Sequence, residues 1–240
     1  MSSNSERALA KTFREHLAMH VAWVPMTSSV SLGDYGLWRK GLFVPIGNVS
    51  EFGVALRRER GKESRLDYSS EAAVSVCAAG TSDCGPMRGE LGMRFTKAGG
   101  CLVRVGRLTS ARIGNLAEVA RALARLPEWR RRYKLVTEVF TGEDVLIAVT
   151  AERDTELSVQ GALGSPGTGS PRARAQVAAN KRLGLEIVGE VGTIGLNVCR
   201  LRLGGGVALS FGDTSDDAPE LVVEDMSAEP ADDPPEPAAD

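Results

Sequence analysis

His16 and His20 are the only imidazoles in 240 residues, so a histidine general base would have to be one of these two. Four residues apart, they could share a helix face and hold a metal ion. The plainer reading, which the sequence favours, is one histidine on a helix face and one at a strand end, neither with a chemical role. No GxSxG, Walker loop, GxGxxG or HExxH is present. Asp34 and Glu51 flank Gly-containing turns, and turn chemistry accounts for both. Cys77, Cys84, Cys101 and Cys199 form no CxxC pair and have no histidine nearby. They are expected as reduced thiols, with a Cys77–Cys101 contact across a hairpin left open. The sequence therefore predicts neither an enzyme nor a cofactor or metal site.

Charge is the stronger signal. The last 28 residues, Asp213 to Asp240, carry eleven Asp or Glu and no Lys or Arg. Met1–Gly212 keeps all 29 basic residues against 20 acidic ones, so the body is near +9 and the tail near -11. A basic body prefers an anionic partner, and an attached acidic tail can compete with that partner or simply solubilise the chain. Two basic clusters stand out: Arg57, Arg58, Arg60, Lys62 and Arg65, then Arg130, Arg131, Arg132 and Lys134. Each Lys or Arg at an anionic membrane surface contributes roughly 1 kcal/mol. Nucleic-acid binding would add stacking aromatics, and only Tyr68, Trp129 and Tyr133 adjoin these clusters, so no nucleic acid is expected.

The elements that must position these charges read as α+β. Leu9, Phe13 and Leu17 make one face of an amphipathic helix over Ser5–Met19. His20–Met26 reads as a short strand, and Leu32–Asn48 as a hairpin with turn signals at Gly33-Asp34 and Lys40-Gly41. Arg57–Arg65 reads as a charged connection. Tyr68–Ala79 alternates, with Val74 and Val76 on one face. Leu91, Met93, Phe95, Cys101, Val103 and Val105 predict a bent strand broken at Gly99-Gly100. Gly80–Gly89 would close a hairpin between the two. Asn115 is placed to cap a helix to Leu126 whose stripe is Leu116, Val119, Ala120, Leu123 and Leu126, ended by Pro127. Leu135–Phe140 and Val145–Val149 (with Ile147) predict strands joined at Thr141-Gly142-Glu143. Gly161–Pro171 reads as a linker, Arg172–Arg182 as a short basic helix, and Leu183–Val188 and Leu196–Leu203 as closing strands. No run of 18 apolar residues and no apolar signal core occur, which predicts cytosolic synthesis.

Taken in order, these pieces resemble the pore-forming domain of gasdermins. SERALAKTFREHL followed by AWVPMTSS resembles that family's first amphipathic helix and the strand after it. RRRYKLVTEVFTGEDV is similar to the segment where a helix ends and a "(L/V)-V-T-E" strand begins. KRLGLEIVGEVGTIGLNVCRLRL resembles the last paired segment. The resemblance covers most of Ser5–Leu203. It implies a twisted, mostly antiparallel sheet with peripheral helices, held as a cytoplasmic monomer until it binds acidic lipids and assembles into a large homo-oligomer in the cell membrane. Two regions, about Tyr68–Val105 and Leu135–Val198, would then extend as membrane hairpins. Arg7, Lys11 and Arg14 on the first helix would read lipid, beside Arg130, Arg131 and Arg132. The acidic tail resembles the short C-terminal inhibitory peptide of bacterial members.

The expected organisation is thus a pore-forming domain over residues 1–212 and an inhibitory tail over 213–240. An activating protease would cut between Leu203 and Glu220, where Gly204-Gly205-Gly206 gives a flexible approach and Asp213, Asp216 and Asp217 offer acidic positions. Leu221, Val222 and Val223, with Met226, are the part of the tail able to dock in a groove. Burial of three such side chains would contribute roughly 4–6 kcal/mol. The competing reading is a non-enzymatic β-rich binding module whose basic face meets nucleic acid or an acidic protein, masked by the tail.

Overall fold

The computed structural model describes residues 4–22, 30–39, 42–70, 73–76, 91–160, 176–201, 207–210 and 221–223. In chain order these form α1 (Asn4–Leu17), β1 (His20–Val21), β2 (Asp34–Arg39), β3 (Leu42–Asn48), a 3-10 turn (Val49–Phe52), β4 (Arg58–Arg60), β5 (Ser64–Ser69), β6 (Ala73–Val76), β7 (Leu91–Phe95) and β8 (Cys101–Ile113). There follow α2 (Leu116–Ala124), β9 (Lys134–Thr150), β10 (Thr155–Gln160), β11 (Gln176–Ala179), β12 (Leu183–Leu201), β13 (Val207–Ser210) and β14 (Leu221–Val223). The fold is α+β, with two helices over a large antiparallel sheet.

The large sheet has ten strands, and β9 is its spine. Along one edge β9 pairs with β12, and along the other with β8 and then β2. β4 and β5 line the outer edge of β8. β1 and β13 cover part of the outer edge of β12. A second sheet of four strands, β11-β10-β7-β6, lies against one end of the first.

Helix α1 forms because Leu9, Phe13 and Leu17 recur on one side, as the spacing predicts. Leu9 and Phe13 are buried against Cys101, Val103, Val105, Val145, Ile147 and Val149. Helix α2 buries Val119, Ala120 and Leu123 against Leu135 and Cys199, with Leu116 and Leu126 half-buried beside them. The β2–β3 hairpin is present as expected, and Asp34 and Glu51 do serve its turns. Asp34 accepts from the Ser31 N–H at 2.7 Å, and Glu51 completes a capping box with Asn48.

Several expectations are corrected. Arg57–Arg65 is not a connection: Arg58–Arg60 and the start of β5 both pair with β8. Tyr68–Ala79 and Leu91–Val105 are each divided, with β5 and β8 in the large sheet and β6 and β7 in the small one. Thr141-Gly142-Glu143 is not a turn, because β9 runs through it with β8 and β12 paired on both sides. Gly142 is there for packing: a Cβ would come within 2.7 Å of Val145 and 2.9 Å of Val105. Likewise β12 is one strand of 19 residues, whose register shift near Thr193 replaces the expected gap. Within Arg172–Arg182, residues 176–179 are strand β11 rather than helix. The Asn115 side chain makes no cap bond. It accepts instead from the Arg57 N–H at 2.8 Å and donates to the Ala55 carbonyl at 3.2 Å, tying the β4 approach to α2. The expected strand after Val21 and the connections Gly80–Gly89 and Gly161–Pro171 lie largely or wholly outside the described residues.

Candidate functional site

The small sheet repeats the strand order of the large one. In the large sheet the order is β5-β8-β9-β12, and in the small sheet β6-β7-β10-β11. Each small strand continues its large counterpart along the chain, so four chain segments pair twice in one order. The central register also carries through. Cys101 faces Val149 in the large sheet and Phe95 faces Thr155 in the small one. Five residues on each strand, 96–100 and 150–154, separate these pairs. Between the outer strands β11 and β12 the same bend takes three residues, 180–182. The small sheet is therefore the end of one four-stranded ribbon bent back on itself.

The bend is held by specific bonds. Thr150, 1% exposed, accepts from the Gly100 N–H on its hydroxyl at 3.1 Å, and its backbone N–H donates to the Gly100 carbonyl at 2.9 Å. Gly99 adopts φ +76°, the left-handed region that favours glycine. Asp154, at φ +54°, accepts from Arg94 on β7 at 3.3 Å and from the neighbouring Arg153 at 3.3 Å. Those bonds hold its carboxyl below the usual carboxylate range. Of these residues the sequence marked only Gly99-Gly100; Thr150 and Asp154 carried no signal in a strand-end context.

Apolar burial closes the bend. Met93, Phe95 and Leu157 of the small sheet pack on Leu102, Leu146 and Ala148 of the large one. On the opposite face the same strands are covered by α1. Cys101, Leu102 and Val103 are consequently all buried, although alternate residues of a one-sided sheet would be exposed. Burial pushes the Cys101 thiol up to about 12, against a lowering hydrogen bond from Thr12. Cys199, in the α2 cluster, is likewise pushed to about 12 by burial.

The residues expected to face lipid are placed as follows. Met93, Phe95, Val103, Val145, Ile147 and Val149 are buried between α1 and the small sheet or within it. Val74 and Val76 lie on β6 and Leu91 on β7. Arg7 and Lys11 are exposed on α1, Lys11 lying 3.9 Å from Glu15, and Arg14 is half-buried. Arg130, Arg131 and Arg132 are exposed after Trp129. Trp129 and Tyr133 pack on Tyr35 with ring centroids 5.5 and 5.3 Å apart. That aromatic group belongs to the α2 cluster, and α1 to the other, so the two basic groups sit over different parts of the core.

Leu221–Val223 forms β14, an edge strand on β13, with Leu209 facing Leu221 and Val207 facing Val223. Asp213, Asp216, Asp217 and Met226 lie outside the described residues. The two histidines part company: His16 stacks on Tyr68 at 5.3 Å, while His20 lies 4.6 Å from Trp38. Among the described residues no group of three or more His, Cys, Asp or Glu is placed to hold a metal ion, and no helix is long and apolar enough to cross a membrane. Compared with models of known protein families and with curated proteins, the chain matches none.

Proposed function

We propose that this chain is a gasdermin-like membrane pore former, cytoplasmic and monomeric while its tail is attached, which inserts into the cell membrane as a homo-oligomer once a protease releases the tail. The observation that carries this reading is the repeated strand order with shared central register. Straightening residues 96–100 and 150–154 would join β7 to β8 and β9 to β10 as continuous strands without re-pairing. A membrane strand needs about 9–11 residues. β8, β9 and β12 already have 13, 17 and 19. Over Cys101–Val105 and Val145–Val149 the apolar side chains are hidden by covers that can leave, helix α1 on one face and the bent-back sheet on the other, while Val188 and Val191 on β12 are already exposed. Exposing Met93, Phe95 and Leu157 costs roughly 1.5–3 kcal/mol each in water, and a bilayer would restore that burial. Arg7 and Lys11 on the outer side of α1 would draw the helix to acidic lipid, peeling it from the strands it covers.

Dye leakage from acidic liposomes tests the reading. The chain ending at Gly212 is expected to release dye, and the full chain to stay inert until cut. If neither leaks, pore formation is wrong, and the non-enzymatic binding module, with basic residues such as Arg58 and Arg60 exposed on β4, takes its place.

A further inference from the structure

Strand pairing fixes the place from which the end of the chain departs. β14 is antiparallel to β13, and β13 to β12, so β14 runs the same way as β12. Val222, Ala208, Arg200, Lys134 and Gly36 make one row across β14, β13, β12, β9 and β2. Val223 lies one residue past that row, at the end of the sheet where β12 finishes and β9 starts. The 17 residues after Val223 carry seven Asp or Glu and no Lys or Arg.

Arg130, Arg131 and Arg132 lead into β9 at that same end. The turn that bears them is fixed on both sides. The Trp129 N–H donates to the Leu126 carbonyl at 3.2 Å, and the Tyr133 N–H to the Arg130 carbonyl at 2.9 Å, while both rings pack on Tyr35. All three arginines are exposed, and none has a carboxylate within ion-pair distance among the described residues. The other basic run, Arg57–Arg65, already contains Glu59 and Glu63, and Arg57 lies 3.8 Å from Glu59. A backbone already held in place loses little freedom when its side chains meet an anion. We propose that the acidic end of this chain docks on Arg130–Arg132 through Glu229, Asp232 and Asp233. Three strand spacings of about 4.8 Å separate β14 from β9, on the order of 14 Å. An extended chain covers that distance in about five residues. Glu229 is the sixth residue after Val223, and Asp232 and Asp233 follow it. One exposed ion pair contributes little, but three on a single tether act together, and β14 holds the local concentration high. The contact belongs to the intact chain and does not depend on pore formation. On the pore reading it would keep these arginines from lipid until the tail is cut.

Carbodiimide coupling, which joins a carboxylate to a lysine amine only on contact, tests the proposal in full-length Arg131→Lys. The chief tail link is expected between position 131 and Glu229, Asp232 or Asp233, read as a cross-linked peptide from the monomer. Lys62 and Lys97, exposed elsewhere on the chain, are expected to link to the tail about tenfold less, because the tether does not bring it to them. Trypsin gives an independent reading on the unmodified arginines. Cleavage after Arg130, Arg131 or Arg132 is expected to become severalfold faster in a chain carrying Glu229→Gln, Asp232→Asn and Asp233→Asn, with cleavage after the exposed Arg153 unchanged. Tail links spread evenly over position 131, Lys62 and Lys97 overturn the proposal, and so does trypsin cleavage that the tail variant leaves unaltered. It is also overturned if the intact chain binds phosphatidylserine vesicles through these arginines, with binding lost in Arg130→Gln, Arg131→Gln, Arg132→Gln and unaffected by the tail variant. That result would give the turn to lipid rather than to the tail.

Discussion

At the scale of single residues, the charges and thiols are explained by who sits beside them. Asp154 joins the β9–β10 turn to Arg94 on β7, and its folded-state pKa is depressed first by the Arg153 bond. A depressed carboxyl stabilises the fold above its unfolded value, near 3.9, and that contribution is lost as pH falls through the folded value. Asp154→Asn keeps a residue that tolerates positive φ but removes the charge. Urea midpoints of the two proteins are expected to differ at pH 6 and to draw together as the carboxyl is protonated in acid; a gap constant with pH would show that the charge contributes nothing. The thiols give a second test. With Cys101 and Cys199 both near 12, the thiolate fraction at pH 8 is on the order of one in ten thousand. In a Cys77→Ser, Cys84→Ser chain, neither remaining thiol is expected to react with a disulfide reagent until denaturant is added, after which both should.

At the scale of elements, the bend between the two sheets is the feature on which function turns. Gly100 sits against the Phe95 ring, where a Cβ would fall 3.0 Å from Cγ and closer still to Cδ1. Gly100→Val must therefore lever Phe95 out of its seat, at a cost of about 1–3 kcal/mol. Hydrogen exchange is expected to rise in Leu91–Phe95 and Thr155–Gln160 and to stay slow in Leu135–Val139; on the pore reading, the same variant leaks liposomes at lower concentration once the tail is removed. Uniform acceleration across the chain would mean that the bend has no independent opening. The sequence made part of this legible. Leu9, Phe13 and Leu17 gave α1, the stripe from Leu116 to Leu126 gave α2, and Gly99-Gly100 marked the break between β7 and β8. It misread β9 and β12 as two strands each, because glycines that look like turns locally are packing sites in a paired strand: Gly142 lies against Val105 and Ile194. It misread Arg57–Arg65 because a charged strand on a sheet edge lacks the apolar alternation that marks a half-buried one. Two long hairpins were legible in outline, but the doubled strand order was not, since partners as distant in the chain as Phe95 and Thr155 leave no local trace.

At the scale of the whole molecule, the question is what holds the tail. The body is near +9 and the tail near -11, but the described contact is backbone pairing of Leu221–Val223 with β13. A three-residue edge strand makes few bonds, each contributing about 1 kcal/mol, so pairing and charge are expected to act together. Three chains separate them: the intact one, Val222→Pro, and the chain ending at Gly212. Proline removes a donor and locks φ, which disfavours the strand without altering charge. In cosedimentation with anionic vesicles at low salt, binding is expected to rise in the order intact, Val222→Pro, tail-free. Near 0.5 M salt the screening length falls to on the order of 4 Å. Long-range masking by the tail is then lost, and with it attraction to the vesicle, so the tail-free chain should lose most of its advantage. Binding by Val222→Pro equal to that of the intact chain, beside strong binding by the tail-free one, would assign masking to charge alone and leave β14 without a regulatory part. Equal binding by all three would remove the tail from the mechanism and leave α1 and the bent-back sheet as the covers over the strands among the described residues.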